Sequence, residues 1–351
     1  MSRIITYASA IQEAQEQLLE SNPSVFILGM GVTSPTGVFG TTVGLLEKFG
    51  PERVLEVPAS ESAITGVALG AAISGMRPIL IHQRVDFSLL SMDAIVNQAA
   101  KWRYMYGGAM SAPLTIRMII GRGWGQGPQH SQSLQSWFAH IPGLRVLMPT
   151  TPSDAKGLLI AAVNGETPTI ILEHRWLFGI KGIVNKSFFE VAIGKGEVVK
   201  KGKDVTIISV SYMTIESLEA AKILEKFHIS VEVIDLKSIS PIDIDTIIKS
   251  INKTRRVIII DHGHISFGIS AEILSLIIEN STVELLSRPK RIGLPHAPTP
   301  TSYSLSEVYY PNTKDIITGI LEMLKIKNSQ IIEFNNNKFT DIPNEDFTGP
   351  Y

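Results

Sequence analysis

The chain has 351 residues, no cysteine, and 32 basic against 33 acidic side chains. The missing cysteines exclude disulfides, thiolate metal sites and cysteine nucleophiles, and so even a charge balance points to neither nucleic acid nor an anionic membrane as a partner. An apolar fraction of 44% with only 19% charged residues suits a folded α/β chain with two full cores, and apolar surface left over for association.

The first residues lack a basic region followed by an apolar core, and apolar runs such as 257–260 are too short to span a bilayer, so a cytoplasmic protein is expected. An amphipathic helix is predicted near 7–20 and a buried strand over 25–29. The order then repeats: helix 42–49, strand 54–57, a helix of small residues after Glu61, strand 78–83, helix 92–105, strand 114–120. A further cycle runs through strand 145–148, helix 153–163 and strand 169–172. Strands alternating with helices predict a parallel sheet covered on both faces, with ligands at the carboxyl ends of the strands. Gly29, Glu61, Gln83 and Gly121 all fall there.

The stretch 178–202 holds glycines and lysines without sustained periodicity and reads as a connection. Beyond it strands and helices alternate again over 204–210, 215–227, 231–235, 243–252, 256–261, 270–278 and 283–286, closed by a helix at 315–324. The expected fold class is therefore α/β, with two domains that each have a mainly parallel sheet flanked by helices. The first spans 1–178, a linker 179–202, the second and smaller domain 203–327, and an irregular tail 328–351.

Residues 57–66 read Val-Pro-Ala-Ser-Glu-Ser-Ala-Ile-Thr-Gly and put Glu61 between a proline-stopped strand and a helix. Ala63, Gly66, Val67, Gly70, Ala71 and Ser74 give that helix one very small face. Ser60 is a good N-cap and Glu61 suits the positive helix end, so by pattern alone a capping carboxylate without chemistry is the commoner fate. Gly29-Met30-Gly31 follows a strand, but Ser34 stands where a dinucleotide fingerprint needs its third glycine. The loop Gly121-Arg-Gly-Trp-Gly-Gln-Gly-Pro128 lacks the Lys-Ser/Thr of a triphosphate loop; it is either a surface turn or a bare backbone that closes over a ligand. His130 comes directly after it and is suited to proton transfer, though a lone histidine is as often structural. Phe87 is either core packing or a face for a flat heterocycle. The remaining histidines show no metal-ligand spacing, and no metal bound by this chain alone is expected.

Taken in order, these pieces resemble the β subunit of the decarboxylating component of 2-oxoacid dehydrogenase complexes, in the transketolase superfamily, most closely its pyruvate dehydrogenase branch. The marks are Pro58-Ala-Ser-Glu61 with Gly66, Asp86-Phe87-Ser88 with Asn97-Gln-Ala-Ala-Lys101, Gln129-His130-Ser131-Gln132, His140-Ile-Pro-Gly143, and Asp154-Ala-Lys-Gly157. They continue in the second half as Ile239-Ser-Pro241-Ile-Asp243 and Phe267-Gly268. The resemblance implies a thiamine-pyrimidine-binding domain followed by a transketolase C-terminal-like domain. It also implies thiamine diphosphate held between this chain and an α subunit, with Mg2+ bound by that α subunit, since no Gly-Asp-Gly occurs here. Glu61 would hydrogen-bond the pyrimidine nitrogen and favour its reactive tautomer, a charge-assisted bond that strengthens in a dry site. Phe87 would stack on the pyrimidine, Gln83 and Ser60 would lie beside it, and His130 would donate a proton or orient the reacting group.

The implied assembly is two α and two β chains that decarboxylate a 2-oxoacid, expected to be pyruvate, and pass the acyl group to lipoyl-lysine of a transacylase core. Met30 stands where such subunits usually carry an acid, Gly165 and Thr167 cannot supply the side chains of the potassium site some of them have, and Arg84 and the segment 118–124 are unusual. A split transketolase or carboligase without a lipoyl partner therefore stays open. A nucleotide-binding dehydrogenase is disfavoured by the missing glycine, and a non-catalytic interaction protein by the joint presence of Glu61, Phe87 and His130.

Overall fold

A computed structural model describes residues 2–121 and 125–327, which form two units. Among these residues the first unit comprises 2–121 and 129–193, and the second 125–128 and 194–327.

In the first unit β1 (Ser2–Thr6) leads into α1 (Tyr7–Ser21), where the Thr6 hydroxyl accepts from the Ser9 N–H as a cap. Then come β2 (Val25–Gly29), α2 (Leu45–Phe49), β3 (Val54–Glu56), α3 (Glu61–Ile73) and β4 (Arg77–His82). They are followed by α4 (Ala100–Met105), β5 (Thr115–Ile120), α5 (Gln135–Ala139), β6 (Arg145–Leu147), α6 (Pro152–Asn164), β7 (Thr169–His174) and β8 (Lys181–Asn185). The parallel strands of this unit run in the order β6-β7-β5-β4-β2-β3. β2, β5 and β7 are buried along their whole length, which is why they read as continuous apolar runs rather than alternating ones. From β2 the chain moves to β3 on one side and returns to β4 on the other, so the order reverses there and opens a crevice at the strands' carboxyl ends.

Two polar features inside this unit carry no apolar signal. Arg117 on β5 forms a bidentate pair with Glu173 on β7, at 2.6 and 2.8 Å, and donates to Gln15 of α1 at 2.9 Å. The side chains of both partners of the pair are 2% exposed. The Lys156 ammonium of α6 is likewise buried and donates to Glu13 at 2.6 Å and to the carbonyls of Asn185 and Ser187 at 2.9 and 2.8 Å.

The second unit contains β9 (Glu197–Lys200), β10 (Val205–Ser209), α7 (Tyr212–Glu225), β11 (Val231–Asp235), β12 (Ser238–Ser240), α8 (Ile244–Thr254), β13 (Val257–His264), α9 (Ile269–Asn280), β14 (Lys290–Leu294), α10 (Tyr303–Tyr309) and α11 (Thr313–Leu324). Its five-stranded sheet has the order β14-β13-β10-β11-β9, parallel except for the edge strand β9.

Several expectations change. The stretch read as an irregular connection holds two strands, β8 paired with β1 and β9 paired with β11, both antiparallel and only partly buried. An edge strand covered on one side carries polar residues and leaves little periodicity to find. The strand expected at 283–286 is not one: Leu286 is half exposed, and the ladder beside β13 is made by β14, whose Lys-Arg-Ile-Gly-Leu sequence looks too polar for a strand. The single helix expected over 92–105 is a π-helical segment at Asp93–Ala99 followed by α4, and a 3-10 turn at Phe87–Ser91 precedes it. Asp93 accepts from Asn97 at 2.8 Å and from Gln98, five residues on, at 3.0 Å; the second spacing matches the wider π turn. The expected tail 328–351 lies outside the described residues.

Candidate active site

At the crevice the carboxyl ends of β2 and β4 and the start of α3 enclose an open cleft of about 330 Å³ including its mouth. Ser60, Glu61, Gln83 and Phe87 line it together with Met30 and His82. Four of the five residues singled out from sequence therefore meet in one place. The fifth, His130, is exposed and lies edge-on to Phe87, with ring centroids 5.3 Å apart and planes at 87°.

Each side chain has a local cause for its position. Pro58 stops the chain after β3, and Glu61 becomes the first residue of α3. Its carboxylate is half-buried rather than fully buried, and among the described residues it has no hydrogen-bond or ion-pair partner. Ser60 occupies the cap position but forms no side-chain capping bond, contrary to expectation. Its backbone (φ −153°, ψ 64°) departs from the extended geometry that aims a cap hydroxyl at the first turn. The small face of α3 is uncovered: Gly66 and Val67 are exposed, and the packed side is Thr65, Ala68, Leu69 and Ala72. Gln83 donates to the Met30 carbonyl at 3.1 Å, so its amide ties the ends of β2 and β4 together at the cleft mouth.

Sequence reasoning overlooked three supports. Glu56, at the end of β3, accepts from the Gly31 N–H at 2.6 Å, the Thr33 N–H at 3.1 Å and the Thr33 hydroxyl at 2.8 Å. Partial burial pushes this carboxyl up, but those three bonds outweigh it and hold it below the usual range. The turn after β4 then grips the loop that carries His130. Arg84 donates to the Gly121 carbonyl at 3.0 Å, and Asp86 accepts from the Gln132 N–H and side-chain amide at 3.3 and 2.9 Å. The Gly121 N–H meets the Gln132 carbonyl at 3.3 Å and closes the loop's base. Gly121 has a φ of +77°, and a Cβ there would sit 2.2 Å from the His174 ring. The third support is His82, whose buried imidazole is pushed down to about 4 by desolvation and is therefore neutral.

The other motif residues build the frame. Gly143 passes so close to α4 that a Cβ would stand 1.9 Å from the Ala100 carbonyl, and Lys101 donates to the Pro142 carbonyl at 3.1 Å. Thr151 caps α6 by accepting from the Asp154 N–H at 3.1 Å. Among the described residues no three His, Asp or Glu side chains are grouped to hold a metal ion, and no helix is long and apolar enough to cross a membrane.

The chemistry of this donor set fits a flat heterocycle with a basic ring nitrogen. An uncommitted carboxylate, an aromatic ring and a fixed amide converge on a cleft at a strand-order reversal, where such ligands bind.

The fold and site define a two-domain protein of the transketolase class. Residues 3–180 match the model "Transketolase, pyrimidine binding domain" and residues 194–316 match "Transketolase, C-terminal domain". The acetoin:2,6-dichlorophenolindophenol oxidoreductase subunit beta of Cupriavidus necator is 38% identical, over 93% of this chain and 99% of that one. The pyruvate dehydrogenase E1 component subunit beta of Rickettsia bellii is 36% identical over 92% and 99%, and the mitochondrial subunit beta-2 of Oryza sativa is 40% identical over 89% and 84%. A solved split-gene transketolase, described as an inactive beta4 tetramer, superposes with a TM-score of 0.75 at 22% identity over 92% of this chain and 99% of that one, a likeness of fold. The chain belongs to the family of transketolase-domain β subunits that includes those of pyruvate dehydrogenase E1 and acetoin dehydrogenase.

Proposed function

We propose that this chain is the β subunit of a thiamine diphosphate-dependent 2-oxoacid dehydrogenase, active with an α subunit in an assembly of two α and two β chains. It decarboxylates a 2-oxoacid, with pyruvate the first candidate, and passes the acyl group to lipoyl-lysine of a transacylase core. The observation that carries the reading is the Glu61 carboxylate, free of partners among the described residues and facing the same cleft as Phe87. The relatives' names support the reaction class, and they do not favour the carboligase alternative. The proposal places the enzyme in the cytoplasm, with Mg2+ held by the α subunit.

When bound, thiamine diphosphate supplies an acidified thiazolium carbon and an electron sink for the cleaved bond. This chain's part is to bind and bias it. Glu61 would hold a proton between its carboxylate and the pyrimidine nitrogen, a bond that would gain strength in a cleft from which a partner excludes water. Phe87 would offer a ring face and Gln83 and Ser60 would bound the pyrimidine edge, while the Gln83 bond to the Met30 carbonyl ties the ends of β2 and β4 together. His130, at the rim beside Phe87, is positioned to deliver or accept a proton at the reacting group.

The test is co-purification with an α-type subunit, followed by reduction of 2,6-dichlorophenolindophenol with pyruvate, branched 2-oxoacids and acetoin as separate substrates. Glu61→Gln should lower kcat at least about 100-fold, the scale of losing one electrostatic contact to developing charge. Near-normal turnover by that variant would remove Glu61 from the mechanism, and turnover by the isolated β chain would overturn the shared site. Acetoin oxidation without 2-oxoacid decarboxylation would move the chain to the other branch of its family.

A further inference from the structure

Thr65 lies one helical turn beyond Glu61 on the packed side of α3 and is fully buried. Its hydroxyl is 3.2 Å from Nε2 of His82, the last residue of β4, and donates to the Ser91 hydroxyl at 2.9 Å. Ser91 ends the turn that begins with Phe87. His82 and Ser91 are 5% and 1% exposed, so no solvent competes for these bonds.

One hydroxyl thus joins the three segments that carry the cleft: the start of α3 with Glu61, the end of β4 with Gln83, and the 3-10 turn with Phe87. We infer that Thr65 is a positioning residue that sets the spacing between the Glu61 carboxylate and the Phe87 ring, and so the fit of the cleft to a pyrimidine. The inference rests on the thiamine reading above.

The stoichiometry of the hydroxyl supports it. A threonine hydroxyl has one hydrogen to give and two lone pairs to receive with. Here the hydrogen goes to Ser91, so the bond to His82 requires that Nε2 carry the proton. A neutral imidazole in that tautomer satisfies the requirement, and burial keeps His82 neutral. The three groups therefore hold one orientation, and no member can rotate away without leaving a buried polar atom unpaired. An apolar trio at these positions would fill the same space and fix no orientation. The polar trio imposes one on segments that depart from the regular α-helix, because Phe87–Ser91 and Asp93–Ala99 have 3-10 and π geometry.

The test uses the full chain co-purified with its α subunit and reads thiamine diphosphate binding directly, by titrating intrinsic tryptophan fluorescence, alongside kcat and the cofactor concentration for half-maximal activity. Thr65→Val keeps the shape and removes the hydroxyl; it should weaken cofactor binding roughly 10-fold, the scale of one lost buried hydrogen bond. Thr65→Ser should restore binding to within about three-fold, and adding Ser91→Ala to Thr65→Val should cost little more, since the shared bond is already gone. Wild-type affinity in Thr65→Val, with or without a fall in melting temperature, would reduce the network to a packing role and overturn the inference. If Thr65→Val does not fold, Ser91→Ala alone decides: weaker binding supports the inference and unchanged binding overturns it. The thiamine reading is separated by its own arm. Where the wild-type assembly binds the cofactor and Glu61→Gln loses activity, that reading stands whatever Thr65 does. A wild-type assembly that does not bind thiamine diphosphate removes both.

Discussion

Replacing Arg117 by methionine removes a cation that two elements share and that water cannot replace. In the native chain the guanidinium gives Glu173 two bonds, at 2.6 and 2.8 Å, and Gln15 a third at 2.9 Å. Methionine fills much of the volume but leaves the Glu173 carboxylate, 2% exposed, without its counter-ion. Breaking a buried pair from one side costs about 3–5 kcal/mol, whereas exchanging both partners for apolar residues is often neutral. For a domain of this size each kcal/mol lowers the melting temperature by about 2–4 °C, so Arg117→Met should lose roughly 6–20 °C. Adding Glu173→Leu to the same chain should recover most of that loss. Thermal and urea unfolding of the wild type, both single variants and the double variant form a cycle whose coupling term should exceed about 2 kcal/mol. A single variant within about 1 kcal/mol of wild type would mean that the pair is solvated, and the reasoning about this core would be wrong.

Two further outcomes follow from buried charge and burial of a titratable group. Lys156→Met leaves Glu13 and the carbonyls of Asn185 and Ser187 without their shared donor, so about 3 kcal/mol should be lost. Limited proteolysis should then cut near 185–191 sooner than in wild type. In the folded chain His82 titrates at about 4, against about 6.5 when unfolded, so the unfolded state takes up the proton first as the pH falls. Stability is full above about pH 6.5 and declines toward pH 4, with about 2 kcal/mol lost by pH 5. Urea midpoints at pH 7 and pH 5 should show a smaller difference in His82→Gln than in wild type, and equal differences would contradict the burial argument.

Much of the architecture could be read from the amino-acid order, for a definite reason. β2, β5 and β7 are buried on both faces, and a strand with no wet side must be written in apolar residues throughout. Edge elements were harder: β8, β9 and β14 each face solvent in part, so their sequences mix charge with aliphatics and imitate loops. The breaks between 3-10, π and α geometry over 87–105 were also hidden, because helical periodicity tolerates a turn that is one residue too wide. Of the site, Ser60, Glu61, Gln83 and Phe87 were found from strand ends and family motifs. Glu56, Thr65, His82 and Ser91 were not, since a polar residue at a strand end, inside a helix or in a turn has the same one-dimensional signature whether it caps a loop, points to water or locks a cleft.

By itself the sequence determined the alternation of strands and helices, the absence of any thiol chemistry, and the placing of one glutamate at the head of a helix of small residues. Those properties follow from local pattern and composition, which need no distant contact to be expressed. Only the tertiary structure decided that the glutamate, a strand-end amide and a phenylalanine share one cleft, and that a buried threonine hydroxyl links the segments bearing them. Hydrogen bonds between residues 17 and 26 positions apart depend on strand order and burial, and neither is encoded within any single window of the chain.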